Sequence, residues 1–248
     1  MTIETEQDLK ALREIGRIVA LTLQEMMNQT EAGMTTGELD LIGKALLERY
    51  AAHSAPKVTY NFPGYTCISI NEEVAHGIPG SRIIQPGDVV NIDVSAEKNG
   101  YFADTGGTLI VPPGNSIKNQ LIDSTQLALR EACDHARAGR PLNGIGKAIQ
   151  QVAERTGFEI IRNLCSHGIG LGLHEEPAEI PGYYVPSDKR KLEAGMVITI
   201  EPFLSTTNRF ARETDDGWTL AGRQHSLSAQ FEHTLVITKG KPILLTLV

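Results

Sequence analysis

The chain has 248 residues, 41% of them hydrophobic and 21% charged, which is enough for a sizeable hydrophobic core. Its net charge of −7 and its lack of a Lys/Arg cluster argue against nucleic acid as the main partner. We expect a cytoplasmic protein, because no apolar run is long enough to span a membrane, no signal core is visible, and the three cysteines show no paired spacing.

Four helices are predicted from apolar periodicity and from end signals. They cover roughly residues 6–27, the segment LDLIGKALLERY, residues 117–138 and residues 143–156. Thr35 and Glu38 form a capping box before the second helix. Gly139 and Gly157 are expected to end the third and the fourth.

Strand-like runs follow in clusters between these helices. They are Cys67–Ile70, Val89–Val94, Tyr101–Val111, Phe158–Arg162, Met196–Leu204, Ser228–Thr238 and Ile243–Leu247. Clustered alternation of helices and strands predicts an α+β fold rather than a strictly parallel one.

The chain also contains an internal duplication. ELDLIGKALLERY resembles NGIGKAIQQVAER, with Lys44 matching Lys147, and PGDVVNIDV resembles AGMVITIEP, with Asp93 matching Glu201. The two matches occur in the same order at nearly equal offsets, and no Pro-, Gly- or Ser-rich linker separates the halves. We therefore predict one domain, residues 1–248, with pseudo-twofold symmetry.

Asp93 and Asp104 lie on the two arms of one predicted hairpin, VVNIDVSAEKNGYFADTGGTLIV. Asn99-Gly100 is typical of a two-residue type I′ turn, and that turn places Asp104 opposite Ser95. Asp93 then shares its face, about 7 Å away along the diagonal. Two such carboxylates do not both stay ionised without a counter-charge. A divalent cation could supply it. Alternatively, the two carboxyls share a proton, or a slipped register separates them.

Two more acids and one histidine extend this group. Glu201 and Glu232 occur within apolar, strand-like runs, where a carboxylate is destabilising unless it is paired or metal-bound. His167 lies in SHGIGLGLHEEP, which we interpret as a glycine-rich loop. Any one of these acids is more often a salt-bridged structural residue, but four together are hard to explain structurally. Four carboxylates would balance two divalent cations, and oxygen-rich ligands with one imidazole favour Mn, Fe(II) or Co.

The chain resembles the type I methionine aminopeptidases of the bacterial kind. The ordered motifs that carry the resemblance span nearly the whole sequence: EEVAHGIPG, VVNIDV, FADTGGT, SHGIGLGLHEEP, ITIEP and SLSAQFEHTLVIT. The resemblance implies the pita-bread (creatinase/aminopeptidase) fold, with duplicated α/β halves around a central antiparallel sheet. It also implies a monomeric metalloprotease that removes the initiator methionine from nascent chains with a small second residue, near the ribosome.

The resemblance further implies a role for each metal ligand. Asp93 would bind the first of two metal ions, and Asp104 and Glu232 would bridge both. His167 and Glu201 would complete the second.

Other roles concern the substrate. Glu201 would be the general base, His174 would steady the scissile carbonyl, and His76 would hydrogen-bond the substrate amide. Without the motif, both histidines are readily interpreted as turn-capping imidazoles. Phe62 and Trp218 could wall a methionine pocket, or they could be ordinary core residues.

Three departures from the family pattern concern the surroundings of the site. Ser166 precedes His167 where glycine is usual, and Leu173 precedes His174 where phenylalanine is common. The loop TYNFPGYTC, which ends at Cys67, lacks part of the aromatic pattern of some members. They put the shape of the pocket in doubt rather than the metal chemistry.

Neighbouring classes of protein are less consistent with the chain. Proline-specific peptidases carry an additional domain before the first ligand, which here is already reached at Asp93. Type II methionine aminopeptidases insert a helical subdomain between the acids corresponding to Glu201 and Glu232, where the chain has no room for one. Metal-free peptide-binding modules of the same fold lack some of the ligands.

Overall fold

The computed structural model describes residues 1–248. The five helices are α1 (Glu6–Gln29), α2 (Thr36–Arg49), α3 (Ala55–Tyr60), α4 (Ser116–His135) and α5 (Asn143–Thr156). α1 and α2 each begin at a reciprocal capping box, Thr5 with Asp8 and Thr35 with Glu38. α5 ends at Gly157, whose φ is 78°. The second capping box and the end of α5 are confirmed.

Short strands form four antiparallel sheets. The strands are β1 (His53–Ser54), β2 (Cys67–Ile70), β3 (Glu73–Ala75), β4 (Val89–Lys98), β5 (Tyr101–Ile110), β6 (Glu159–Ile160), β7 (Cys165–Gly168), β8 (Glu175–Pro181), β9 (Val197–Ile200), β10 (Phe203–Ser205), β11 (Arg212–Glu213), β12 (Leu220–Ala221), β13 (Ser228–Gln230), β14 (His233–Val236) and β15 (Ile243–Leu244). One sheet has the order β1–β4–β2 with β5 beside β4, and another has the order β15–β14–β9–β7–β8. The remaining two are β13–β10–β6 and β11–β12–β3.

A pair of helices packs on each half of this strand arrangement. α1 and α2 share a buried core with the β4–β5 hairpin, around Ile15 and Ile92. α4 and α5 share a second core with strands of the second half, around Ile149 and Ile198. Each half therefore covers its own acid-bearing hairpin with its own two helices, as the internal duplication predicts.

Several predicted boundaries were wrong. α4 ends at His135 rather than near Ala138, because the chain beyond it pairs with the C-terminal region: the N–H of Ala138 donates to the carbonyl of Thr238 at 2.9 Å. The runs predicted over 196–204 and 228–238 are each broken into two strands. The predicted 158–162 and 243–247 strands each shorten to two residues.

Two further observations concern the helices and the cysteines. No helix of this protein is both long and apolar enough to cross a membrane. Cys67, Cys133 and Cys165 are all unpaired, which agrees with the expectation of no disulfide framework.

Candidate metal centre and substrate cavity

The first pair of acids comes from an unbroken hairpin. β4 and β5 pair with Ser95 opposite Asp104 and Asp93 opposite Gly106, as predicted. Asn99 and Gly100 adopt φ values of 55° and 84°, which both central positions of a type I′ turn require. Because side chains alternate between faces, Ile92 and Val94 are fully buried in the core while Asp93 and Asp104 share the other face. The register prediction is confirmed.

The second pair of acids lies at breaks between strands, not within strands as we expected. Glu201 follows the last residue of β9, and Glu232 lies between β13 and β14. The pairing register is the same on both sides of the gap, with Ile200 opposite His233 and Phe203 opposite Gln230, so the two glutamates fall opposite each other. Pro202 accounts for one break, since proline has no N–H to donate to a sheet.

His167 lies on β7, not in a loop as predicted. Its Nδ1 is 2.9 Å from the carbonyl of Gly168, which only accepts hydrogen bonds, so Nδ1 carries the proton and Nε2 keeps its lone pair. Nε2 lies 3.5 Å from Oε1 of Glu201. Burial, followed by the neighbouring His174, lowers the pKa of His167 to about 3. His167 is therefore a neutral imidazole with a free lone pair, the form that binds metal ions.

Hydrogen bonds join the β4–β5 hairpin to the segment around Glu232 beside the four acids. The N–H of Asp104 donates to the Thr234 hydroxyl at 2.9 Å, and that hydroxyl donates to the Asp104 carbonyl at 2.7 Å. Thr105 Oγ1 donates to the carbonyl of Glu232, whose own N–H donates to the carbonyl of Gly106, both at 2.9 Å. The carboxylates of the two halves are thus held together by backbone as well as by side chains.

The charges of this group are not balanced within the protein. Burial is the main cause that raises the pKa of all four carboxyls, and repulsion from the other acids adds to it for Asp93, Glu201 and Glu232. No Lys or Arg lines the cavity beside them. Such an arrangement is destabilising unless protons or cations neutralise it.

The donor atoms fit a divalent metal ion. Oδ1 of Asp104 and Oε1 of Glu232 are buried and have no hydrogen-bond partner. Ligand atoms of Asp104, His167 and Glu232 lie within 4.8 Å of one another. Asp93 joins them through its contact with Asp104, and Glu201 joins through His167. All five predicted ligands therefore converge on one place.

The two remaining predicted histidines line the adjoining cavity. His76 directly follows β3 and adopts a left-handed φ of 55°, which turns the chain as it leaves the strand. His174 precedes β8, and its ring centroid is 4.1 Å from that of His167. Desolvation is the main cause that lowers the pKa of both. The two rings face the same space, and the lowered pKa of each favours its neutral form.

The cavity is apolar beyond the acids. Phe62 and Trp218 both line it and contact each other edge to face, with ring centroids 5.2 Å apart. Leu173 is buried in the same wall. The volume of about 250 Å³ is below the range for drug-sized ligands and suits a single side chain.

Tyr60, Cys67 and Phe203 are among the other lining residues that sequence reasoning missed. Cys67 lies opposite Asp93 in the β2–β4 pairing, so the alternation of β2 could have indicated it. Phe203 comes two residues after Glu201, and its neighbour Pro202 was a readable sign of a break. Tyr60 lies on a six-residue helix that periodicity does not detect.

Comparisons with known proteins agree with this geometry. The model of metallopeptidase family M24 matches residues 10–239. The chain is 47% identical to methionine aminopeptidase 2 of Bacillus subtilis over 99% of both chains. This chain belongs to metallopeptidase family M24, among its methionine aminopeptidases.

Solved structures confirm the pita-bread fold of this M24 member. The crystal structure of methionine aminopeptidase from Thermotoga maritima superposes with a TM-score of 0.95 at 31% identity, covering 99% of both chains. Prolidase from Pyrococcus furiosus has the same fold, with a TM-score of 0.79 at 21% identity, but this chain covers only 66% of it. Family membership also implies that the M24 centre described above binds divalent metal.

Proposed function

We propose that this chain acts as a type I methionine aminopeptidase, removing the N-terminal methionine from peptides and nascent proteins whose second residue is small. The observation that carries the proposal is the convergence of five ligand side chains, three of them buried, beside an apolar cavity that two imidazoles line. The methionine aminopeptidases among its relatives, matched over nearly their full length, support the same activity.

We assign two divalent ions to the centre, with Mn, Fe(II) or Co as the candidates. Asp93 would hold the first, Asp104 and Glu232 would bridge both, and His167 and Glu201 would complete the second. Four carboxylates match the charge of two such cations, and their oxygens with one imidazole match these metals' preferences. The ions supply Lewis-acid polarisation of the scissile carbonyl and an activated water molecule.

The protein's own groups would bind the peptide and move the proton. Glu201 accepts the proton of the attacking water at its carboxylate, which Thr199 orients by a 3.1 Å hydrogen bond to Oε1. His174 donates a hydrogen bond to the carbonyl oxygen as negative charge develops there. His76, which also lines the cavity, binds the substrate amide.

Phe62 and Trp218 would form the wall that contacts the methionine side chain. Phe62 is only 2% exposed, so the surrounding protein holds it in place against Trp218. Space for one side chain leaves little room beyond the scissile bond, so steric exclusion rather than attraction would select a small second residue.

Type I membership is inferred from the segment between Glu201 and Glu232. It contains only the β11–β12 hairpin and short strands, with no helical subdomain. We further propose that residues 1–248 act as a single catalytic domain, as a monomer in the cytoplasm, on chains emerging near the ribosome. The three free thiols suit a reducing compartment.

A peptide panel tests the proposal. Peptides beginning Met-Ala, Met-Lys and Ala-Pro are offered to the purified protein in Mn(II), Fe(II), Co(II) or Zn(II). We expect rapid cleavage of Met-Ala, poor cleavage of Met-Lys and none of Ala-Pro. Comparable rates on Met-Ala and Met-Lys would exclude the small-residue selection, and a preference for Ala-Pro would favour a proline-specific peptidase.

Chelation tests the metal assignment in the same preparation. EDTA should abolish cleavage and lower the melting temperature, because the ions bind only the folded centre. Added Mn(II) or Co(II) should restore both. Full activity after thorough demetallation would overturn the assignment.

A further inference from the structure

Tyr60 makes a direct contact with His174 that neither the motif nor the metal centre requires. Its phenolic oxygen lies 2.7 Å from Nδ1 of His174. The ring centroids are 5.7 Å apart and the planes are tilted by 48°. This phenol is the only hydrogen-bond partner that the protein offers to the His174 side chain.

The backbone around Tyr60 holds the phenol in place. Tyr60 is the last residue of α3, and Asn61 after it adopts a left-handed conformation with φ 59° and ψ 36°. The N–H groups of Asn61 and Phe62 return to the carbonyls of Lys57 and Pro56 at 3.0 and 3.2 Å. Phe62 is then buried against Trp218. The turn thus places Tyr60 over His174 and Phe62 in the cavity wall at the same time.

The length of this contact favours one of its two possible directions. A separation of 2.7 Å is usual for a hydroxyl donor and lies at the short end of the N–H···O range of about 2.7–3.2 Å, which favours the phenol as the donor. If the phenol donates, Nδ1 of His174 is the acceptor. A neutral imidazole then carries its single hydrogen on Nε2, the nitrogen that has no protein partner.

We propose that Tyr60 is a positioning residue that holds His174 as the Nε2–H tautomer, with that N–H available to the substrate carbonyl. This inference rests on the proposed function, since it assigns a cause to the donor role of His174. Without the phenol, the ring can also adopt the Nδ1–H tautomer. In that form Nε2 presents a lone pair to the carbonyl oxygen and opposes the developing charge.

The test compares Tyr60→Phe with Tyr184→Phe in metal-loaded protein. Tyr184 is also half-exposed, but its ring lies over Lys147, away from the cavity. On a Met-Ala peptide with Mn(II), Tyr60→Phe should lower kcat about 3- to 10-fold, the worth of one hydrogen bond, with KM nearly unchanged. Tyr184→Phe should change neither.

Nitrogen NMR of the Zn(II)-loaded protein, labelled with 15N-histidine, provides the second readout. The His174 signals are assigned by their loss in His174→Ala. In the unsubstituted protein, Nδ1 of His174 should show the shift of an unprotonated nitrogen and Nε2 that of a protonated one. Tyr60→Phe should move both towards the averaged shifts of mixed tautomers, while Tyr184→Phe leaves them in place.

Three outcomes would overturn the proposal. They are an unchanged kcat, a change confined to KM, or a lower kcat with unaltered His174 shifts, which would mean that the phenol acts on the substrate and not on the ring. If no peptide is cleaved, the proposed function fails. The NMR comparison still reports whether Tyr60 sets the tautomer, so the two failures are distinguishable.

Discussion

The β4–β5 hairpin, the first hairpin, is unbroken, with consecutive pairs from Val89–Ile110 to Lys98–Tyr101. Its counterpart in the second half, the second hairpin, pairs β9 with β14 and β10 with β13, and it is interrupted at Glu201 and Glu232. The first hairpin keeps a continuous ladder and orients its acids by simple alternation, although both backbone groups of Asp104 also bond to the Thr234 hydroxyl. The second passes from the five-stranded sheet into the three-stranded β13–β10–β6 sheet at the level of its acids. Two equivalent pairs of carboxylates are therefore built on different backbones.

The interruption makes the second hairpin depend on outside partners. The Glu201 N–H donates to the Ser166 hydroxyl at 2.9 Å, and the Glu232 N–H donates to the carbonyl of Gly106 on β5. These bonds replace the ladder bonds lost at the break. The comparison indicates that the first hairpin is held mainly by its continuous pairing and core face, and that the second depends more on its neighbours.

The largest effects should come from removing one acid of either hairpin. Asp104→Asn should remove metal, and Glu201→Gln should keep the size of the side chain but lose charge and base. We expect turnover to fall by about 100- to 10,000-fold in each case. Peptide kinetics and metal content by mass spectrometry provide the measurements. Glu213→Gln, on the exposed β11 strand, is the control, and equal losses there would contradict the assignment.

Sequence alone placed the acids of the first hairpin because every step was local. The Asn99-Gly100 turn fixes the register, and the alternation around Ile92 and Val94 then fixes the face. The same reasoning misplaced Glu232. Its break has no proline and follows from the exchange of partner strands, which only the folded chain defines.

Other features were also set by distant contacts. α4 stops where the chain begins to pair with Thr238, one hundred residues later in the chain. His167 lies on a strand because β7 pairs with β8 and β9, although its glycine-rich surroundings indicated a loop. Tyr60 reaches His174 across more than a hundred residues of sequence. Such contacts leave no local pattern to detect.

Removing the hydrogen bonds that link the two hairpins should give the next largest effect, on stability and on metal binding. Thr234→Val removes the hydroxyl that bonds both backbone groups of Asp104 while keeping the side-chain shape. Leaving these buried groups unpaired should lower the free energy of unfolding by about 1–3 kcal/mol and weaken metal binding. Urea titration and metal-binding calorimetry measure the two effects.

Thr22→Val is the matched control for Thr234→Val. Thr22 is also fully buried, but its hydroxyl has no hydrogen-bond partner. Its replacement should leave stability unchanged or slightly raised. If both variants lose the same stability, the hydroxyl of Thr234 does not link the hairpins.

The turn of the first hairpin should affect stability but not the centre. Gly100→Val places a β-branched residue at a φ of 84° and should destabilise the protein by about 1–2 kcal/mol. A register slip would also expose Ile92 and Val94, at roughly 1.5–3 kcal/mol each, so the core face should keep the register. Metal stoichiometry should therefore be unchanged.

Gly157→Val serves as the control for the turn. Gly157 ends α5 at a similar φ of 78°, and the space around its missing Cβ is open, as it is at Gly100. Both variants should lose similar stability in urea titrations. Metal loss in Gly100→Val alone would show that the turn, rather than the core face, sets the position of Asp104.

The smallest effect should come from the outside partner of the second hairpin. Ser166→Ala removes the acceptor of the Glu201 N–H, but Glu201 borders the cavity, where water can replace the hydroxyl. We expect a loss of about 1 kcal/mol in stability and a few-fold loss in kcat. Ser228→Ala is the control, because Ser228 is also buried but its hydroxyl has no partner. An effect of Ser166→Ala on kcat that Ser228→Ala lacks would locate the dependence at Glu201. Identical behaviour of the two variants would show that the interrupted hairpin holds this acid without the Ser166 hydroxyl.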